Sequence, residues 1–319
     1  MSRISWGSSS RQILSRIGSA ALVLALTICA RPASATTIAI LMIPPTAQTR
    51  LLHDGLEEHA RARNVLVHVA YAREGAGDQQ VGQARRFIAE KVDALVVMPA
   101  DPSAGAVITR LAQEADIPLV YVNNWLGADW SAGRVVFVMP NDLVAGRLQM
   151  RKLAQMLNGV GRVALIGGHA SHPGSALRTR GAKEVMAEFP GLRLVAETIT
   201  DGDRLTARSA VTGWLAKGIR IDAIAATNDE MAIGAAEAIA AVGLPAGRIL
   251  IGGVDATADG MQAMQEKRLA VTIYQDAATQ SRRAIDDALA LIRHEPVQQY
   301  DWMPSELITD RISTTHFSR

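Results

Sequence analysis

Between residues 38 and 274 the chain alternates ten short apolar runs with longer amphipathic stretches. Ile38–Ile43, Val65–Ala70, Ala94–Met98, Leu119–Val122 and Val135–Met139 form a first series. Val163–Ile166, Leu192–Ala196, Ile221–Thr227, Ile249–Val254 and Leu269–Tyr274 form a second. Most are continuous rather than alternating, as in strands buried on both faces. The stretches between them, such as Arg50–Arg63 and Asp229–Val242, have helical spacing. Strand followed by helix, repeated, means parallel sheets with right-handed crossovers. Ten strands exceed the usual size of one such sheet, so the expected fold is α/β, with two doubly wound parallel-sheet lobes. The break is expected near Pro140 and Asn141. A last long helix should run from about Asp276 to Arg293, with an extended tail from Tyr300 to Ile312.

The first 35 residues stand apart. Arg3, Arg11 and Arg16 precede an apolar run, Ile17–Ala30, and then Ala33-Ser-Ala35. Basic head, short apolar core and A-x-A site are the parts of a secretory signal peptide, cleaved after Ala35. The run is short for a membrane span. This segment holds four arginines and no acidic residue, so 29 basic and 31 acidic residues remain beyond it. The surplus of positive charge therefore belongs to the leader, and nothing in the charge pattern favours nucleic acid. The single cysteine, Cys29, lies in the same segment, which excludes a disulfide framework and any cysteine-based zinc site.

In an open α/β sheet, residues at strand ends share one edge and meet in one crevice. Four polar residues stand at or just beyond such ends: Arg180, Asn228, Asp255 and Gln275. A guanidinium, a carboxylate and two amides make a hydrogen-bonding cage for a small polar ligand. Asn123 and Asn124 end the run Leu119–Val122, and Trp125 follows as a ring on which a sugar C–H face could stack; Trp130 and Trp302 are weaker candidates. Asn228 also suits the N-cap of the helix that begins at Asp229. His169 and His172 lack a cysteine or an acidic third ligand in their segment, so they read as an exposed loop rather than a metal site. No G-x-S-x-G elbow and no G-x-G-x-x-G after the first strand is present, which disfavours a hydrolase and a dinucleotide enzyme. The pattern implies binding without catalysis, no cofactor and no metal.

These pieces resemble the type I periplasmic binding proteins of the ribose-binding kind, the solute receptors of bacterial ABC sugar importers. The most specific are Asn228–Gly234 (NDEMAIG), Val254–Gly260 (VDATADG) and Leu269–Gln275 (LAVTIYQ), together with Ser175–Gly181 (SALRTRG). The resemblance implies that Arg180, Asn228, Asp255 and Gln275 face the ligand, with Arg178 the alternative to Arg180. It places Gln48 and Thr49 where the family has aromatic rings, and Asn123 and Asn124 where ribose receptors have an Asp-Arg pair. The second-lobe half of the ribose pattern is kept and the first-lobe half is not, so pentose, hexose, polyol or another polar metabolite stay open. It further implies a multi-strand hinge, with lobes at 36–139 plus 277–301 and at 140–276 plus 302–319. The partners implied are a small-molecule ligand and a membrane permease, for a monomer in the periplasm; a sensor feeding a membrane kinase or chemoreceptor is the alternative. A DNA-binding repressor on the same core would need a helix-turn-helix headpiece, where this chain has only the leader.

Overall fold

The computed structural model describes residues 35–309, apart from 46, 74, 125–130 and 171. The leader expected at 1–35 therefore lies almost entirely outside the described residues, as do Trp125 and Trp130.

Two parallel sheets organise the chain. The first takes β1 (Thr37–Met42), β2 (Leu66–Tyr71), β3 (Ala94–Val97), β4 (Leu119–Val122) and β5 (Val135–Pro140), in the spatial order β2-β1-β3-β4-β5. Its helices are α1 (Ala47–Ala62), α2 (Gly77–Ala89) and α3 (Pro102–Glu114). Both faces are buried, and β1 shows how. Ile38, Ile40 and Met42 pack into one apolar cluster, while Ala39 and Leu41 pack into the opposite one. Successive strand residues point to opposite faces, so a strand covered on both sides must be apolar throughout. Fully burying each Ile, Leu or Met of this strand contributes about 1.5–3 kcal/mol. Only the edge strand β2 alternates between exposed and half-buried residues.

After β5 the chain leaves this sheet and enters α4 (Asp142–Met156). A second sheet follows, with β6 (Val160–Gly167), β7 (Gly191–Ile199), β8 (Ala223–Ala226) and β9 (Leu250–Gly252), in the order β7-β6-β8-β9. Single bridges from Gly252 to Val271 and from Asp255 to Tyr274 continue it toward β10 (Thr272–Gln275). Between these strands run α5 (Pro173–Glu188), α6 (Arg204–Ala216), α7 (Asp229–Ala241) and α8 (Ala258–Gln265). The next helix, α9 (Ala277–Ile292), returns to the first sheet, where Ala284, Ile285 and Ala288 join the cluster of Ile38 and Ile40. The chain then pairs β11 (Tyr300–Met303) with β5, parallel, and β12 (Ser305–Ile308) with β10, antiparallel. It thus passes between the sheets three times, and the last strands make the described total twelve rather than the ten apolar runs of the sequence. β11 and β12 are short and mixed in polarity, which hides them from a search for apolar runs.

The helix pair α4 and α5 is packed backbone against backbone. A Cβ on Gly146 would overlap the carbonyl of Arg178, and one on Gly181 would overlap the carbonyl of Leu143. This contact sets where α5 presents its side chains. Gly146→Ala should therefore lower stability by about 1–3 kcal/mol, as overpacking against backbone does, measured by urea denaturation.

Candidate functional site

The C-terminal ends of both sheets face a common cleft that opens to solvent. The first sheet contributes Ile43 beyond β1, Thr49 in the first turn of α1 and Asn123 beyond β4. The second contributes most of the polar lining, including Ser175 and Arg178 of α5, Thr227 and Asn228 beyond β8, Asp255 beyond β9 and Gln275 at the end of β10.

Arg178 is the centre of this array. Its side chain is 6 % exposed, and that of Asp142, at the start of α4, is 2 % exposed. Arg178 Nε donates to Asp142 Oδ1 (2.7 Å), Nη1 to the Thr227 carbonyl (2.6 Å) and Nη2 to Gln275 Oε1 (3.1 Å). Nη1 also reaches Asp255 Oδ1 at 3.5 Å. Gln275 Nε2 in turn donates to Asp142 Oδ1 (3.3 Å). A guanidinium has five N–H groups, and these contacts leave one on Nη2 for a ligand. The planar fork is held rigid from behind, which removes most of the ordering cost of binding.

Arg180, expected to face the ligand, does not. It projects to solvent and pairs with Glu184 at 3.0 Å. Two helical residues turn the side chain about 200° around the axis, so Arg178 and Arg180 cannot share a face. The periodicity held the signal: Ser175, Arg178, Ala182 and Val185 are buried at helical spacing, and Arg180 falls off that stripe.

The other expected residues divide. Asn228 both caps and lines. Its Oδ1 accepts from the Met231 amide (2.8 Å) and its Nδ2 donates to the Gly202 carbonyl (2.9 Å), while the side chain borders the cleft. Asn123 lines the cleft, but Asn124 turns inward, where its Nδ2 donates to the Pro99 carbonyl (3.1 Å). Buried and bonded within its own lobe, Asn124 is not among the cleft residues. Thr49 is buried and lines the cleft. The Gln48 side chain and all of Trp125 lie outside what is described. Trp302 is an exposed residue of β11, stacked on Tyr300, away from the cleft.

Asp255 and Asn123 meet the cleft with left-handed backbone, at φ +108° and +63°. Asp and Asn tolerate such angles better than other non-glycine residues, and strain of this kind gathers at binding sites. The Asp255 loop is held by Asp229, which is completely buried. Thr272 Oγ1 donates to Asp229 Oδ1 (2.6 Å), and Thr257 donates to Oδ2 through its amide (2.8 Å) and hydroxyl (3.1 Å). Burial pushes the Asp229 carboxyl up to about 7, against the pull of these hydrogen bonds. Burial also lifts Asp255, to about 8, with Arg178 opposing it.

His169 and His172, read from sequence as an exposed loop, both border the cleft. His172 is the N-cap of α5, with Pro173 in the first turn, and its Nδ1 accepts from the Ser175 amide (3.1 Å). Burial, reinforced by Arg178, lowers its pKa to about 4. At neutral pH the ring is therefore uncharged, with its proton on Nε2. Ser175 Oγ, meanwhile, accepts from the Gly168 amide (2.6 Å) and lies 2.7 Å from Thr227 Oγ1. The imidazole thus holds the serine backbone, not its hydroxyl, and the pair lacks the arrangement of an activated nucleophile. Among the described residues no cluster of three metal-ligating side chains occurs.

Two predictions follow from these contacts. Arg178→Ala strands the buried Asp142 carboxylate and should cost about 3–5 kcal/mol, whereas Arg180→Ala removes an exposed pair worth about 0–1 kcal/mol; chemical denaturation separates them. The second concerns pH. Asp229 and Asp255 bind protons more tightly folded than unfolded, so each lowers stability as pH rises from about 4 through 7 and 8. His172 acts the other way, adding stability between about 4 and 6.5. Above 6.5 the carboxyls act alone. The melting temperature of the ligand-free protein should fall from pH 6.5 to 8, and Asp255→Asn should flatten that slope.

A family model described as periplasmic binding protein domain matches residues 40–296. A putative rhizopine-binding protein of Rhizobium meliloti is 37 % identical over 263 residues, covering 81 % of this chain and 85 % of that protein. A xylitol-binding protein of Mycolicibacterium smegmatis is 27 % identical over 246 residues, covering 77 % and 69 %. Among solved structures, an ABC transporter solute-binding protein of Bacillus halodurans C-125 with bound myo-inositol superposes with a TM-score of 0.82 at 30 % identity, covering 89 % of this chain and 98 % of that one. The chain belongs to the periplasmic binding protein family.

Proposed function

We propose that this protein is the solute receptor of an ABC importer, which takes a sugar or related polyol into the cleft and delivers it to a membrane permease. The observation that carries this reading is the rigid array around Arg178, which presents donors and acceptors to the cleft. Each buried polar group left unmatched costs on the order of 1–3 kcal/mol, so such a cage discriminates between stereoisomers of a polyol. Relatives named for xylitol and ribose, and structural neighbours with myo-inositol and D-allose, support a sugar or polyol over other small polar ligands.

In this reading the leader directs export to the periplasm and is removed after Ala35. The lobes comprise 36–139 with 277–301 and 140–276 with 302–319, and the three crossings form the hinge. The ligand prefers the closed arrangement because only there do Thr49 and Asn123 complete the cage from the first lobe, and the permease reads that state.

The test is a thermal-shift screen of the purified protein against xylitol, myo-inositol, D-allose and D-ribose. A true ligand at 100 times its Kd adds about 2.7 kcal/mol of stability. Asp255→Ala should weaken the hit roughly tenfold or more, the loss expected when a buried hydrogen-bonding group is removed, while the exposed Arg180→Ala leaves affinity unchanged. A full complement of affinity in the Asp255 variant would place the site elsewhere.

A further inference from the structure

The ladder between β8 and β9 stops short of the cleft. Its last paired residues are Ala225 and Gly252, so the segments 226–228 and 253–255, which carry Asn228 and Asp255, run on beyond it. A side chain outside the cleft lining joins them. Gln149, in the middle of α4, is buried behind the two strand ends. Its Nε2 donates to the Ala226 carbonyl (2.8 Å) and to the Gly253 carbonyl (2.9 Å). One amide thus commits both of its N–H donors to two separate segments, each just ahead of a residue that lines the cleft.

The backbone is shaped to admit this amide. Gly252 and Gly253 are consecutive, and successive strand residues point to opposite faces. A Cβ on Gly252 would lie 2.9 Å from Gln149 Cγ, and one on Gly253 would collide with the Asp229 carboxyl. So α4 grips the end of β9 from one face through Gln149. From the other face α7 does so through Asp229, which follows Asn228 and accepts from the Thr257 amide (2.8 Å). Ala145, Leu153, Ala225 and Val254 make the Gln149 side apolar, and a carbonyl left unmet in such surroundings is costly, which holds the amide in place. The first lobe offers a contrast. Gln80 of α2 is buried as well, but it bonds the Met98 carbonyl and the Ala100 amide, both of one segment. Gln80 fixes a single strand end, whereas Gln149 ties two together.

We propose that Gln149 is a positioning residue of the binding site: it sets the spacing between Asn228 and Asp255 from behind, without touching what they bind. This deepens the receptor reading and rests on it. The two loops also meet Arg178, one through the Thr227 carbonyl (2.6 Å) and the other through Asp255 Oδ1 (3.5 Å). A change in their separation therefore shifts Asn228 and Asp255 against the guanidinium as well as against each other. Fixed spacing removes ordering cost from binding. It also lets the site tell stereoisomers apart, because their hydroxyls differ only in direction and a displaced partner leaves one of them unmatched.

The experiment compares Gln149→Met, which keeps the volume and removes both donors, with Leu153→Ala, one turn along α4, which loosens the same apolar cluster and touches neither carbonyl. Amide hydrogen exchange of the ligand-free proteins is read at Thr227, Gly253 and Asp255, whose amides bond the Ile166, Val271 and Ile273 carbonyls. With each rate corrected for global stability, Gln149→Met should speed exchange at these amides about tenfold by local opening, and Leu153→Ala should leave them unchanged. Gly252→Ala, whose Cβ displaces the Gln149 side chain without removing it, should shift the same amides and carries the test if Gln149→Met does not fold. Calorimetry with xylitol, myo-inositol, D-allose and D-ribose, well below the melting temperature, should show the compound that binds weakened about tenfold in Gln149→Met and unaltered in Leu153→Ala. The preference among the four should narrow in Gln149→Met alone. Unchanged exchange at the three amides, or an unchanged Kd in a folded Gln149→Met, would overturn the inference and leave Gln149 a core amide only. Silence of the parent protein toward all four compounds would overturn the receptor reading instead, and the exchange rates would still decide whether Gln149 sets the two loops.

Discussion

The buried pair of Arg178 and Asp142 is the contact on which the site depends. It joins the start of α4 to the middle of α5, and through Gln275 and the Thr227 carbonyl it reaches the ends of β8 and β10. Four segments distant in sequence therefore share one guanidinium. A buried ion pair is not by itself a source of stability, since desolvation offsets most of the attraction. Its effect here is geometric: one charged group is held with every backing contact satisfied and one face left toward the cleft. The close packing of α4 on α5 through Gly146 and Gly181 makes this possible, because it brings Asp142 within reach of the Arg178 side chain.

A second support stands behind the Asp255 loop. Asp229 bonds Thr257 and Thr272, and through them braces the two consecutive residues with left-handed backbone, Asp255 and Ala256. The glycines that flank the loop, Gly253 and Gly260, lie so close to Asp229 that a Cβ on either would collide with its carboxyl. A loop strained in this way persists only where its surroundings over-determine it. The cleft is thus stiff on the side of the second sheet, while the first sheet adds few groups.

That asymmetry bears on specificity. In the ribose pattern an Asp-Arg pair follows the fourth strand of the first lobe. Here Asn123 lines the cleft, and Asn124 is spent on the Pro99 carbonyl. An amide in place of an ion pair removes a cation from one wall. The fold is unaffected by these changes, because neither strand core nor helix packing involves them. The choice of ligand is affected, because each polar group of a closed cleft needs its partner on the ligand.

The α/β class, the two-lobed division and the break after Pro140 were legible in the chain alone, because a parallel strand covered on both faces leaves an unbroken apolar run that no other element needs so often. Asp255, Asn228 and Gln275 were legible too, standing at the ends of such runs where the fold forces residues into one crevice. The extended tail from Tyr300 was legible as well and holds β11 and β12, but their pairing with β5 and β10 was not, since it is made by backbone groups that any side chain permits. Nor was the choice between Arg178 and Arg180, or the fates of Asn124 and His172. Each depends on which way a side chain turns, and that is set by the rotation of a helix against its neighbour or by the backbone angle at a strand end. Sequence alone determined which segments would meet; only the tertiary structure decided which side chains of those segments face one another.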